Sequence, residues 1–174
     1  ELDSLNVLTS GLVDGLIIAS AMADGRKLSA AIPKGFPVVL IDRQLPGAPY
    51  DAVYVSSYSA MRMGIDYLIR KGHQKIGFLT GIHSISTTSD RRKGYQDAMD
   101  AAGLSTEHLI RAGTSSTKLQ AENLDALLEL GCTALAISNN VLTVEARILL
   151  GKRGLSVPKD IELLGFLDSD HAQY

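Results

Sequence analysis

LIRKGHQKIGFLTG, residues 68–81, carries the chain out of a helix and into a strand. Leu68 and Ile69 finish a stripe begun by Met61 and Ile65, the i, i+4, i+7, i+8 spacing of a helix with one buried face. Lys71 and Gly72 then supply a cation for the negative end of that helix and a residue suited to a C-terminal stop. The run KIGFL at 75–79 is apolar without alternation, as strands are when both faces are covered in a parallel sheet.

The same succession recurs in both directions. GLIIA at 15–19, VVLI at 38–41, ALAI at 134–137 and IELLGF at 161–166 read as buried strands, with AVYV at 52–55 a weaker sixth. Tyr95, Ala98, Met99 and Ala102 form a helical stripe stopped by Gly103. Ala121, Leu124 and Leu128 form another stopped by Gly131, and Leu142, Ala146, Leu149 and Leu150 one ending near Gly154. Strand alternating with helix is the signature of βαβ units and right-handed crossovers, so the fold class is α/β, with open, doubly wound parallel sheets flanked by helices. The polar stretch that begins at Gly81 marks a lobe boundary, dividing residues 1–81 from 82–174.

Hydrophobic residues make up 45% of the 174 and charged residues 21%, a globular and not a disordered balance. A net charge of −2 gives none of the basic surplus of a nucleic-acid binder, so any DNA contact has to come from outside this segment. Cys132, the single cysteine, enters an apolar run as a small buried side chain and has no intrachain partner, which favours a cytoplasmic setting. No apolar stretch approaches the roughly 18 residues that span a bilayer, and ELDSLNVLTSG lacks a basic segment followed by an apolar one. No membrane partner is expected.

In open α/β sheets ligands bind beyond the carboxyl ends of the strands, where loops meet helix N-termini. The residues that follow the strands are Ala19-Ser20, Asp42-Arg43, Ser56 to Ser59, Thr80 to His83, Ser138 to Asn140 and Leu167-Asp168. Hydroxyls, amides and few charges suit a hydroxyl-rich small molecule such as a sugar better than a polyphosphate. Phosphate-loop, dinucleotide, nucleophile-elbow and zinc motifs are all missing from the sequence, so neither catalysis, a cofactor nor a metal is expected. His73 reads as a polar cap of the helix-to-strand turn, and Asp90, Asp97 and Asp100 as a solvated helix face. Asp42 and Arg43 either rigidify a loop or line a cleft. In TTSDRRKGYQDAM, residues 87–99, Arg91 and Arg92 stand near a helix start, where the dipole is already positive. Either they are solvated, or one faces a cleft and an electron-rich ligand.

VDGLIIAS, FPVVLIDR, LIRKGHQKIGFLTG, DRRKGYQDAMDAAGL and LSVPKDIELLGF stand in the order and at the spacing of the lactose repressor family of transcription regulators, which the chain resembles over nearly its whole length. The resemblance implies two Rossmann-like lobes of the periplasmic-binding-protein type, incomplete here at both ends, with an effector between them. It also implies a homodimer that binds operator DNA through a headpiece outside this chain. An exported solute-binding protein of a sugar uptake system shares the fold and is the alternative. On the family pattern Arg91 is the effector-binding arginine, Asn139 the pocket asparagine, and Ser59 and Thr87 face the effector. Arg92, about 100° further around the helix, is then the solvated member of the pair. Ser59 reads equally as a helix N-cap.

The departures bear on the ligand. Where the family has two acids after the last strand, this chain has Leu167-Asp168, and Asn140 stands where an acid follows the pocket asparagine. Ser115 occupies the place of an aromatic that stacks on the ligand, and Tyr58 is a candidate replacement. A less acidic pocket fits an anionic effector such as a sugar phosphate, an effector with an apolar part against Leu167, or a protein corepressor in place of a small molecule.

Overall fold

The computed structural model describes residues 1–81, 86–113, 119 and 121–166. The chain divides into two compact units, Glu1–Ser56 and Ser57–Tyr174. The division falls at Ser56, ahead of the Gly81 boundary expected from the sequence, because the helix that follows Ser56 packs most extensively against a helix of the second unit.

In the first unit, α1 (Leu2–Leu8) and α2 (Gly25–Ala30) accompany a parallel sheet of β1 (Leu16–Ile18), β2 (Val38–Asp42) and β3 (Asp51–Tyr54), in that order. Leu28, Leu40 and Leu45 centre its core, with Leu16, Ile18, Val38 and Ala52 packed around them. The opposite face of the sheet carries Ile17, Val39, Ile41 and Val53, of which Ile17 is 73% and Val53 69% exposed. Within this unit the helices cover one face of the three strands, and the apolar side chains of the other face are exposed. Both α1 and α2 are too short to announce themselves by periodicity.

The second unit contains α3 (Ser57–Arg70), β4 (Ile76–Thr80), α4 (Ser86–Ala101), β5 (Ile110–Ala112), α5 (Ala121–Glu129), β6 (Ala134–Ile137), α6 (Asn140–Lys152) and β7 (Glu162–Gly165). Its sheet runs β5-β4-β6-β7, parallel throughout. Here β4 and β6 are buried along their whole length, as their unbroken apolar sequence requires. The predicted helix stops Gly72, Gly103, Gly131 and Gly154 all take positive φ, the conformation for which glycine is suited at a C-terminus. Phe78 of β4 stacks on Tyr95 of α4 with ring centroids 5.0 Å apart, and the Tyr95 hydroxyl donates to the Ile76 carbonyl at 2.8 Å. Burial pushes that phenol well above its ordinary range.

Where α3 crosses α4, Gly94 lies so close that a Cβ there would sit 2.4 Å from the Tyr58 carbonyl oxygen and 3.1 Å from the Arg62 nitrogen. These are backbone atoms, so the helices can separate but no side chain can step aside. At the amino end of the sheet, Lys71 donates to both Glu162 oxygens at 2.5 and 2.6 Å. His73 bridges Glu162 Oε2 at 2.9 Å and Thr133 Oγ1 at 2.8 Å. The turn cap predicted for His73 thus also ties the α3–β4 turn to β6 and β7. Lys71 first, and His73 second, hold the Glu162 carboxyl below its ordinary value of 4.5.

Two outcomes follow for stability. Gly94→Ala costs about 1–3 kcal/mol through overpacking. Gly151→Ala, in α6 with open space around the added methyl, gains up to about 1 kcal/mol; paired urea melts measure both. Because the folded-state pKa of Glu162 is depressed, its contribution is present above the ordinary carboxyl pKa and is lost as pH falls through the folded value. Glu162→Gln therefore lowers the urea midpoint at pH 7, and the gap to the parent closes as pH drops below about 4.

Candidate functional site

The carboxyl ends of β4, β6 and β7 lie level, because Leu79 pairs with Ile137 and Ile137 with Gly165. One residue further on, each strand presents a group at this edge: Thr80, Ser138 and Phe166. Arg91, in the second turn of α4, brings its side chain to the same place. Its Nε donates to Ser57 Oγ at 3.3 Å, its Nη1 donates to the Ser138 carbonyl, and its guanidinium carbon stands 3.8 Å from the Phe166 ring centroid. Three separate elements converge on one cation.

The surroundings are hydroxyl-rich. Ser57, Thr80, Thr88 and Ser138 are buried. Among the described residues, the hydroxyl oxygens of Ser86 and Ser138 are buried and find no hydrogen-bond partner. A buried hydroxyl left unpaired costs on the order of 1–3 kcal/mol, so such atoms call for a polar occupant.

Asn139 is the N-cap of α6. Its Oδ1 accepts from the Leu142 amide at 2.8 Å, and its carbonyl accepts the Thr143 hydroxyl at 2.6 Å. The cap uses the oxygen of the side chain and not its NH2 group. Asn140, beside it, is exposed and its Oδ1 accepts from the Val141 amide at 2.9 Å.

Other sequence-marked residues distribute differently. Ser59 is exposed and lies within the first turn of α3, which begins at Ser57, so it is not the N-cap. Thr87 is half-buried in the first turn of α4. The Tyr58 hydroxyl donates to Asp97 Oδ2 at 2.8 Å and accepts from Arg62 Nη1 at 3.1 Å, while the Lys93 ammonium stands 5.9 Å from its ring centroid. Asp97 is therefore a partner across α3 and α4 and not part of a solvated face; Asp90 and Asp100 are exposed as expected. Arg92 is half-buried and has interactions of its own, contrary to the solvated reading. Leu167, Asp168, Ser115 and His83 lie outside the described residues.

Sequence reasoning passed over Phe166 as a functional residue. Its signal was its place as the last apolar residue of IELLGF, where a side chain leaves the core and meets the edge at which Arg91 stands. In the first unit Arg43 is buried and donates to the carbonyls of Ser20 and Met22, so it rigidifies the loop after β1. Among the described residues no group of three metal-ligating side chains is assembled, and no helix is long and apolar enough to cross a membrane.

Residues 2–169 match the model of the periplasmic binding proteins and sugar-binding domain of the LacI family. The chain belongs to this family. Among its relatives, the regulator AscG of Escherichia coli K12 is 33% identical over 79% of this chain and 42% of its own length. GalS of Salmonella typhimurium is 29% identical over 100% of this chain and 52% of its own. The chain thus spans about half the length of these curated relatives. Of the solved structures, a LacI-family sugar-binding transcriptional regulator from Escherichia coli, complexed with phosphate, superposes with a TM-score of 0.82 at 28% identity, over 99% of this chain and 63% of that one. CcpA of Lactococcus lactis superposes with 0.83 at 25%, over 99% and 64%. The LacI-family sequence motifs thus sit on the LacI-family fold.

The cap makes Asn139 separable into two roles. Asn139→Ala lowers stability by about 0.5–2 kcal/mol, whereas Asn139→Asp, which keeps the acceptor and adds negative charge at a helix N-terminus, leaves it unchanged or raised. Thermal melts of the two variants distinguish them.

Proposed function

We propose that this chain is the effector-sensing part of a DNA-binding transcription repressor, and that a sugar or sugar derivative binds at the carboxyl end of the second sheet. The observation that carries the proposal is the convergence of Ser57, the Ser138 carbonyl and Phe166 on Arg91, with the buried Ser138 hydroxyl finding no partner among the described residues. Arginine presents a planar fork of donors that engages two oxygens at once, the geometry offered by a vicinal diol, a carboxylate or a phosphate. Asn139 adds an amide NH2 group and Thr87 a hydroxyl from the starts of α6 and α4. On the family resemblance, Leu167, Asp168 and Ser115 are further candidates for contact with the ligand.

The relatives support a regulator in place of an exported solute-binding protein, since AscG, GalS and GalR are all transcriptional regulators. In the whole protein a cytoplasmic homodimer carries the headpieces to operator DNA. The effector acts by preferring one of two arrangements of the regulator, which is what couples sensing to DNA affinity.

The test is a thermal melt of the complete regulator against neutral sugars, sugar phosphates and sugar acids, with Arg91→Ala in parallel. A compound at 100 times its dissociation constant adds about 2.7 kcal/mol, a rise of several degrees at roughly 2–4 °C per kcal/mol. The rise is absent in Arg91→Ala. Silence across the panel from a cooperatively folded protein overturns the small-molecule reading and leaves a protein corepressor as the switch.

A further inference from the structure

We propose that Phe166 is a positioning residue for Arg91, a flat platform that sets the plane of the guanidinium and so the direction of its donors. The inference rests on Arg91 being the ligand-facing arginine. It adds a residue that neither the motif nor the hydroxyl inventory marks.

Arginine is long and rotamer-rich, and its ordering opposes binding unless it is ordered beforehand. The bond from Nε to Ser57 Oγ and the bond from Nη1 to the Ser138 carbonyl fix two points of the group. A ring centroid 3.8 Å from the guanidinium carbon sets the plane of the group, because at this distance the cation lies on the ring face. Stacking occupies the face and leaves the N–H donors, which lie in the plane, to hydrogen bonding.

The platform is itself fixed. Phe166 is half-buried, packs against the second unit's core, and follows β7 one residue beyond the Ile137–Gly165 pair. The carbonyl and the ring that hold Arg91 therefore come from level positions one residue beyond the ends of adjacent strands, and their spacing is set by the sheet. A lysine at 91 keeps the charge and loses the plane, and a leucine at 166 keeps the packing and loses the platform. Both changes remove the same property, so they do not add.

The experiment is nuclear magnetic resonance of the complete regulator, ¹⁵N-labelled at arginine, with the Arg91 Nε–H signal assigned by its loss in Arg91→Lys. Parent and Phe166→Tyr are expected to show that proton ring-current shifted and slow to exchange with water. Phe166→Leu, with a ligand-free melting temperature measured alongside, loses the shift and exchanges roughly tenfold faster. Titration with inorganic phosphate, a probe with paired oxygens, moves the same signal, and Phe166→Leu weakens that binding roughly three- to tenfold. The double variant with Arg91→Lys binds no more weakly than the weaker single variant. An unchanged Arg91 signal in a folded Phe166→Leu protein overturns the platform. A platform seen in the shift and exchange, with no response of Arg91 to phosphate or to any compound of the sugar panel, leaves the positioning intact and overturns the ligand-facing role instead.

Discussion

The second unit depends on the contact between α3 and α4 at Gly94. With no side chain at 94, the backbone of α4 comes up against the Tyr58 carbonyl. Arg91 lies three residues earlier on the same face of the helix, one turn nearer its start. The approach that seats Gly94 on Tyr58 is thus the approach that brings Arg91 to Ser57, the residue before Tyr58. Tyr58 and Asp97 repeat the connection on the other side of Gly94 through a hydrogen bond at 2.8 Å. A methyl group at 94 would act on the arginine through the helix axis, without touching it.

Sheet register supplies the other half of the site. Parallel strands of matched length end level, and the chain turns after each into a segment that offers polar groups. Because β4 and β6 are buried throughout, their ends cannot shift without disturbing the core around Phe78 and Tyr95. The Ser138 carbonyl and the Phe166 ring inherit that rigidity. At the opposite end, Glu162 ties the β7 start to the turn after α3, so β7 is held at one end by charge and meets Arg91 just beyond the other.

Much of this was legible in the amino-acid sequence, for reasons that identify what was not. The long helices α3, α4, α5 and α6 carry apolar stripes and glycine stops, both local properties, and the runs at 75–79 and 134–137 are apolar because two faces are buried. β5, Ile110–Ala112, has an arginine at its centre and three residues to its name, too little to stand out. β1, β2 and β3 read as covered on both faces because their side chains are apolar on both. Within the first unit one of those faces packs on Leu28 and Leu45, and the other keeps the apolar side chains of Ile17 and Val53 that the sequence shows. The lobe boundary was misplaced because a polar stretch marks a loop, whereas membership of a unit is decided by packing, and α3 packs on α4. Arg91 was marked by the resemblance to the family pattern. Phe166 escaped because an aromatic at a strand end reads as core until a cation is seen on its face.

Ser138 and Asn139 are consecutive, and this adjacency joins the anchor of Arg91 to the cap of α6. The Ser138 carbonyl accepts from Arg91, and the next residue caps α6 with its side chain while its own carbonyl begins the helix. One peptide unit separates the anchor of the arginine from the start of a 13-residue helix. A ligand that draws Arg91 away from the carbonyl acts on the backbone that orients Asn139. A rotation of α6 moves the carbonyl from which Arg91 hangs. Such a bond need not be strong to couple the two, since coupling depends on the difference between two arrangements and not on the energy of either. The capping oxygen of Asn139 thus closes the helix one peptide unit from the carbonyl that holds Arg91.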